Sequence, residues 1–174
     1  SEDPKLQLLR ARHPLLNVPK EQRVANDILA KDQQRILVIT GPNSGGKTVV
    51  LKTVGLIHAM AKAGLLLPCD QDSELFLFGH IYMEIGDSQD ISANLSTFSS
   101  HIMALKPILT QAAATDLVLL DELAVGTEPQ TGEAVAQAVL EDLAEKRVFT
   151  VATTHFDRLK TLAMERPEFR NGAM

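Results

Sequence analysis

The chain has 174 residues, 45% of them hydrophobic, and a formal net charge of −5. This length and apolar content suit one folded domain with a real core and exclude a disordered chain. The single cysteine, Cys69, excludes an internal disulfide and a cysteine-based metal cluster and fits a reducing, cytoplasmic setting, and no apolar run reaches the ~18 residues of a membrane span. Leu6–Arg10 and Arg35–Thr40 read as strands. Gly46–Ala63 reads as a helix with Val50, Val54, Ile57 and Ala61 at helical spacing and Gly64 as its stop. Glu74–Ile85 reads as a strand pair or strand-rich stretch broken near Gly79, and Ser99–Ala113 as a helix with Ile102, Leu105 and Leu109 on one stripe and Pro107 as a kink. Leu117–Leu120 is a short buried strand. Thr131 is placed to cap a helix carrying Val135, Val139 and Leu143 and ending at Lys146-Arg147, and Val148–Thr153 is another buried strand. All-apolar strands alternating with helices predict an α/β fold with a largely parallel central sheet covered by helices on both faces.

The charge is unevenly placed. From Ala63 to Glu145 there are fourteen acidic residues and one base, Lys106. A domain that grips nucleic acid by itself needs a basic face against the phosphates. None is visible here, so contact with DNA or RNA is expected from other parts of a longer protein. A start at Ser1 without methionine agrees with a piece of such a protein.

The eight residues Gly41-Pro42-Asn43-Ser44-Gly45-Gly46-Lys47-Thr48 match G-x-x-x-x-G-K-[ST] and lie between the apolar run 35–40 and a helix-length segment. Strand, glycine loop and helix in that order form a phosphate cradle. Gly41 and Gly46 allow backbone angles that turn successive N–H groups inward, and the helix start adds its dipole and free N–H groups. Lys47 is expected on the β- and γ-phosphates, and the Thr48 hydroxyl on Mg²⁺. Downstream, Leu117-Val118-Leu119-Leu120-Asp121-Glu122 is an apolar strand ending in two carboxylates. Asp121 is expected to hold Mg²⁺ beside Thr48, and Glu122 to orient or deprotonate the attacking water. Ala152-Thr153-Thr154-His155 ends a strand in a histidine that would face the γ-phosphate at the sheet's carboxyl edge. His13, His58, His80 and His101 lack such placement and read as structural or exposed.

The segments GPNSGGKT, LLDE, Leu95-Ser96-Thr97-Phe98-Ser99-Ser100-His101 and Thr154-His155 resemble the ATPase domain of the MutS family, within the ABC-type P-loop ATPases. The resemblance runs from Ala11-Arg12-His13-Pro14 to about Lys160. Val49-Val50-Leu51-Lys52 after the loop, the LSTFSSH stretch, and Leu123 with Gly126-Thr127-Glu128-Pro129-Gln130 favour the second bacterial branch over the mismatch-repair branch. The resemblance implies that Leu95–Ser99 is the signature segment, with Ser96 and Thr97 reaching the γ-phosphate of the opposite subunit from just before a helix. It also implies that Gln89 lies in the Q-loop as a metal or water contact, and that Leu123–Thr127 crosses the dimer interface. Residues 1–34 become the base-side segment of a single domain spanning 1–174; the adenine-stacking aromatic of the mismatch-repair branch falls near Arg23-Val24, so the resemblance implies that adenine rests here on aliphatic or guanidinium surface.

The expected function is therefore Mg²⁺-dependent hydrolysis of ATP to ADP and phosphate. Composite sites across a homodimer of the longer protein would drive arms that act on branched DNA or on a ribosome, with no membrane involved. The alternative is a nucleotide-gated module with little hydrolysis of its own. A structural-maintenance or transporter ATPase would call for an LSGGQ-like signature, and LSTFS argues against one. The family's mismatch-reading, lever, clamp and nuclease modules lie outside this sequence, as do the further strand and dimerising helices expected after Met174.

Overall fold

The computed structural model describes residues 4–19, 22–31, 33–42, 46–85 and 94–173. In chain order the elements are β1 (Leu6–Ala11), β2 (Asn26–Ala30), β3 (Ile36–Thr40), α1 (Lys47–Lys62), β4 (Glu74–Leu75), β5 (Ile81–Glu84), α2 (Asn94–Gln111), β6 (Leu117–Leu120), α3 (Pro129–Glu145), β7 (Phe149–Thr154), α4 (Asp157–Glu165) and β8 (Phe169–Ala173). Five of the strands form one sheet in the order β5-β6-β7-β3-β8, and every neighbouring pair in it is parallel.

The apolar strand runs explain why this sheet is covered twice. Ile36 and Val38 of β3 and Val118 and Leu120 of β6 join one core with Leu105 and Ile108 of α2, Leu140 and Leu143 of α3, and Leu159 of α4. The alternate residues Leu37, Ile39, Leu117 and Leu119 join a second core with Val50, Leu51, Val54 and Ile57 of α1. Side chains alternate across a strand, so a strand buried on both faces reads as a near-continuous apolar run, as β6 does throughout and β3 does up to Thr40. The expected α/β architecture, a parallel sheet flanked by helices, is the one observed, and it has the P-loop nucleotide-hydrolase arrangement.

A second, antiparallel sheet in the order β2-β1-β4 covers the α1 side through Leu6, Leu8 and Ile28. The stretch 74–85 holds two strands on either side of Gly79, and they lie in different sheets: β4 pairs with β1, whereas β5 pairs with β6 in the main sheet. Asp116, buried just before β6, accepts the His80 N–H at 3.0 Å and the Ala113 N–H at 2.9 Å, which fixes the entry to both β5 and β6.

Helix boundaries differ from expectation at two places. Helix α3 begins at Pro129 with Glu128 at the cap position and no side-chain cap bond, so Thr131 lies inside the first turn and does not cap it. Proline lacks an N–H and has a preset φ, which makes it a natural first helical residue. Helix α2 begins at Asn94, five residues ahead of the expected start, and continues through Pro107 to Gln111. Helix α1 ends as expected. The Leu65 N–H reaches the Met60 carbonyl at 3.0 Å and the Gly64 N–H reaches Ala61, with Gly64 at φ 71°.

α1 packs closely on the sheet because Gly55 has no side chain. A Cβ there would lie 2.8 Å from Leu119 Cδ1 of β6. On the same helix His58 is fully buried, donates from Nδ1 to the Val54 carbonyl at 2.9 Å and packs against Phe78. Burial first, and then the charge of Lys62, hold its pKa below 6.5, against the opposing pull of the Val54 and Phe76 carbonyls. The folded chain therefore binds this proton less well than the unfolded one. That contribution to stability is complete above about pH 6.5 and is lost as pH falls below it. Thermal melts should hold steady from pH 8 to 7 and decline below pH 6.5, and His58→Leu should flatten that decline. A decline of the same size in the variant would show that His58 is not its source.

Candidate functional site

The five parallel strands end at one edge, and groups singled out from the sequence follow three of them, β3, β6 and β7. β3 runs from Ile36 to Thr40 into Gly41, and the loop delivers the chain to Lys47 at the start of α1. Gly46, the residue before the helix, is left-handed at φ 82° and ψ 16°, a conformation that a side chain would penalise. Lys47 is only 2% exposed and donates from Nζ to the Gly41 carbonyl at 2.6 Å, so its ammonium folds back to the end of β3. Thr48 occupies the first turn of α1, half-buried. Pro42 is exposed, while Asn43, Ser44 and Gly45 lie outside the described residues.

Asp121 and Glu122 follow β6. Asp121 is buried, with its N–H donating to the Glu84 carbonyl of β5 at 2.8 Å. Its Oδ1 accepts a hydrogen bond from the Thr153 hydroxyl of β7 at 2.6 Å. The Thr153 oxygen in turn accepts the Glu122 N–H at 2.8 Å. Glu122 is half-buried and sits at φ 47°. A left-handed backbone costs a non-glycine residue about 1–2 kcal/mol, so its retention here marks a loop shaped by its surroundings. Ala124 and Gly126 also have positive φ, at 62° and 95°, which bends the chain sharply before α3.

His155 follows β7. Thr154 stands opposite Thr40 in the parallel register, so His155 projects one residue past it, level with Gly41. The imidazole is exposed and stacks at a tilt on Phe156, with centroids 4.5 Å apart. The loop, the two carboxylates and His155 thus share the carboxyl edge of one sheet, where open α/β sheets bind ligands.

Other residues fall elsewhere. Ser96 and Thr97 lie in the first turn of α2 and not before it, because the helix starts early. Gln89 lies outside the described residues. Val24 is 72% exposed and leads into Ala25–Leu29, which form one wall of a cavity of ≈ 300 Å³ closed by Ile39, Val50 and Arg170–Gly172. His101 is half-buried, and its Nδ1 lies 3.0 Å from Glu84 Oε1, which ties α2 to the end of β5. In the sequence Thr153 stands out only as part of the strand 148–153. Its one local signal was a hydroxyl at a position where a buried strand favours valine.

Residues 37–174 match MutS domain V. The chain belongs to the MutS family. All 174 residues align at 48% identity with the Endonuclease MutS2 of Carboxydothermus hydrogenoformans, of which they cover 22%. The Endonuclease MutS2 of Streptococcus equi subsp. equi is 47% identical over the same length, again with 22% covered. That of Thermomicrobium roseum is 49% identical over 170 residues, 98% of this chain and 21% of the relative. The chain therefore spans about a fifth of the length of these relatives, and they place it on the MutS2 branch. Among the described residues, no helix is long and apolar enough to cross a membrane.

Proposed function

We infer that this chain is the ATP-hydrolysing domain of a MutS2-type protein and works as an ABC-type ATPase. One observation carries the reading. Gly41 at the end of β3, with Lys47 Nζ on its carbonyl, shares a sheet edge with Asp121 and Glu122, which supports a phosphate-binding loop facing a pair of carboxylates. The phosphates lie along Gly41–Thr48 against the start of α1, where the N–H groups and Lys47 neutralise them. Glu122 takes the proton of a water whose oxygen forms a bond to the γ-phosphorus as the bond to the bridging oxygen breaks. The products are ADP and inorganic phosphate. His155 faces the γ-phosphate and steadies that water, with Gln89 as a further contact. Val24 and the cavity beside it take the base side.

The residues present suit Mg²⁺. Thr48 offers a hydroxyl and Asp121 a carboxylate, both hard oxygen donors. Mg²⁺ gives up its waters reluctantly and is bound through one or two protein oxygens together with substrate phosphates, so in this reading it would arrive on the nucleotide. When bound, the ion offsets charge on the phosphates.

Ser96 and Thr97 act in trans in this reading, closing the partner's site in a head-to-tail homodimer of the longer protein. Nucleotide-driven closure and opening moves arms that work on DNA, as the word endonuclease in the relatives' names favours over the ribosome. The DNA contacts belong to segments outside this chain, since fourteen acids against one base across Ala63–Glu145 repel phosphates. In longer protein carrying its dimerising parts, Ser96→Arg and Lys47→Ala chains should each be inactive. Mixed heterodimers should regain one working site, close to half the wild-type turnover. Verified heterodimers without any recovery would refute the composite site.

A further inference from the structure

The geometry points to Thr153 as the positioning residue of the hydrolytic site, one hydroxyl that sets both the Asp121 carboxylate and the Glu122 backbone. This inference rests on the ATPase reading above and concerns a residue to which that reading gives no part. Thr153 is completely buried near the end of β7, between β6 and β3. A buried strand position with apolar neighbours suits valine, and a hydroxyl there is costly unless it is hydrogen-bonded. The bonds it makes reach past its own strand. The single hydroxyl hydrogen donates to Asp121 Oδ1 at 2.6 Å, and the oxygen accepts the Glu122 N–H at 2.8 Å.

Donation and acceptance through one atom make the two bonds mutually reinforcing. Donation into Oδ1 fixes the carboxylate rotamer and leaves Oδ2 as the oxygen available to a cation. Acceptance from Glu122 holds the peptide at φ 47° and so sets the direction in which the Glu122 side chain leaves the main chain. The Thr153 carbonyl adds a third tie, accepting the Leu123 N–H at 3.4 Å. β7 therefore acts as a template for the two carboxylates that follow β6. Because β7 also ends in Thr154-His155, the same strand aligns the carboxylates with the histidine. Thr153 touches neither nucleotide nor water in this account, and it acts through Asp121 and Glu122.

The test compares Thr153→Val with Thr153→Ser in the longer protein carrying its dimerising parts, by two independent readouts. Valine keeps the shape and removes the hydroxyl, whereas serine keeps the hydroxyl and removes the methyl. The valine variant should melt near the wild-type temperature and keep its KM for ATP within about threefold. Its kcat should fall at least about tenfold, the loss expected when a proton acceptor is misplaced while substrate binding survives. Hydrogen exchange at the Glu122 amide should quicken by about tenfold or more once its acceptor is gone. Serine should restore both values.

A valine variant with wild-type kcat, in an assay that Glu122→Gln silences, would overturn the positioning role while leaving the ATPase reading intact. Unchanged exchange at Glu122 would overturn it whatever the activity. Should wild type release no phosphate, the ATPase reading fails and the catalytic positioning role falls with it, whereas quickened exchange would still uphold the structural link to Glu122. If valine melts far below wild type and serine fails to restore kcat, Thr153 is a packing residue and the inference is wrong.

Discussion

Replacing Glu122 by glutamine should leave Mg-nucleotide binding within about twofold and lower the rate of phosphate release by about 10²- to 10⁴-fold, the usual worth of a positioned general base. The amide has the same shape and keeps the main-chain bond from Glu122 to Thr153, so the loop stays in place. It has lost only the capacity to accept the water's proton. Single-turnover release from preloaded ATP isolates that step from product dissociation. A variant that hydrolyses at the wild-type rate would remove Glu122 from the chemistry and shift attention to Asp121 or His155.

The second large effect is on binding. Lys47→Ala should weaken ATP and ADP by about 100-fold or more, since charge-assisted hydrogen bonds to phosphate contribute about 1.5–3 kcal/mol each. The wild-type ammonium is already held at the end of β3 by the Gly41 carbonyl, so little ordering is needed when phosphate arrives. Calorimetric titration of both nucleotides against variant and wild type reads the change directly. Affinity retained within threefold would mean that the phosphates bind elsewhere.

The sequence made the site's centre legible because its signals are local. Strand, glycine loop and helix follow one another within 35–54, and the apolar run 117–120 ends in its own carboxylates, so no distant contact had to be inferred. What escaped depends on contacts between distant segments. β8 is Phe-Arg-Asn-Gly-Ala at the edge of the sheet formed by the described residues, and its sequence shows no continuous apolar run. β2 is a strand because it pairs with β1, and α4 is a short helix whose buried anchors include Leu159 and Leu162. The division of 74–85 between two sheets follows from partners far along the chain, which local patterning does not encode. Thr153 belongs to the same class, since its role exists only when β7 lies beside β6. The loop residues 43–45 and Gln89 lie outside the described residues, so their part in the site rests on the sequence.

The central claim is that nucleotide phosphates rest on the loop at the end of β3, facing the carboxylates after β6. Titration of the ¹⁵N-labelled chain with a Mg-bound, non-hydrolysable ATP analogue tests this most directly. Saturable shifts should be largest at the amides of Gly41, Gly46, Lys47 and Thr48, with a second group at Asp121 and Glu122, and Lys47→Ala should abolish them. No saturation at millimolar analogue, or saturable shifts clustered away from this edge and indifferent to Lys47→Ala, would contradict it.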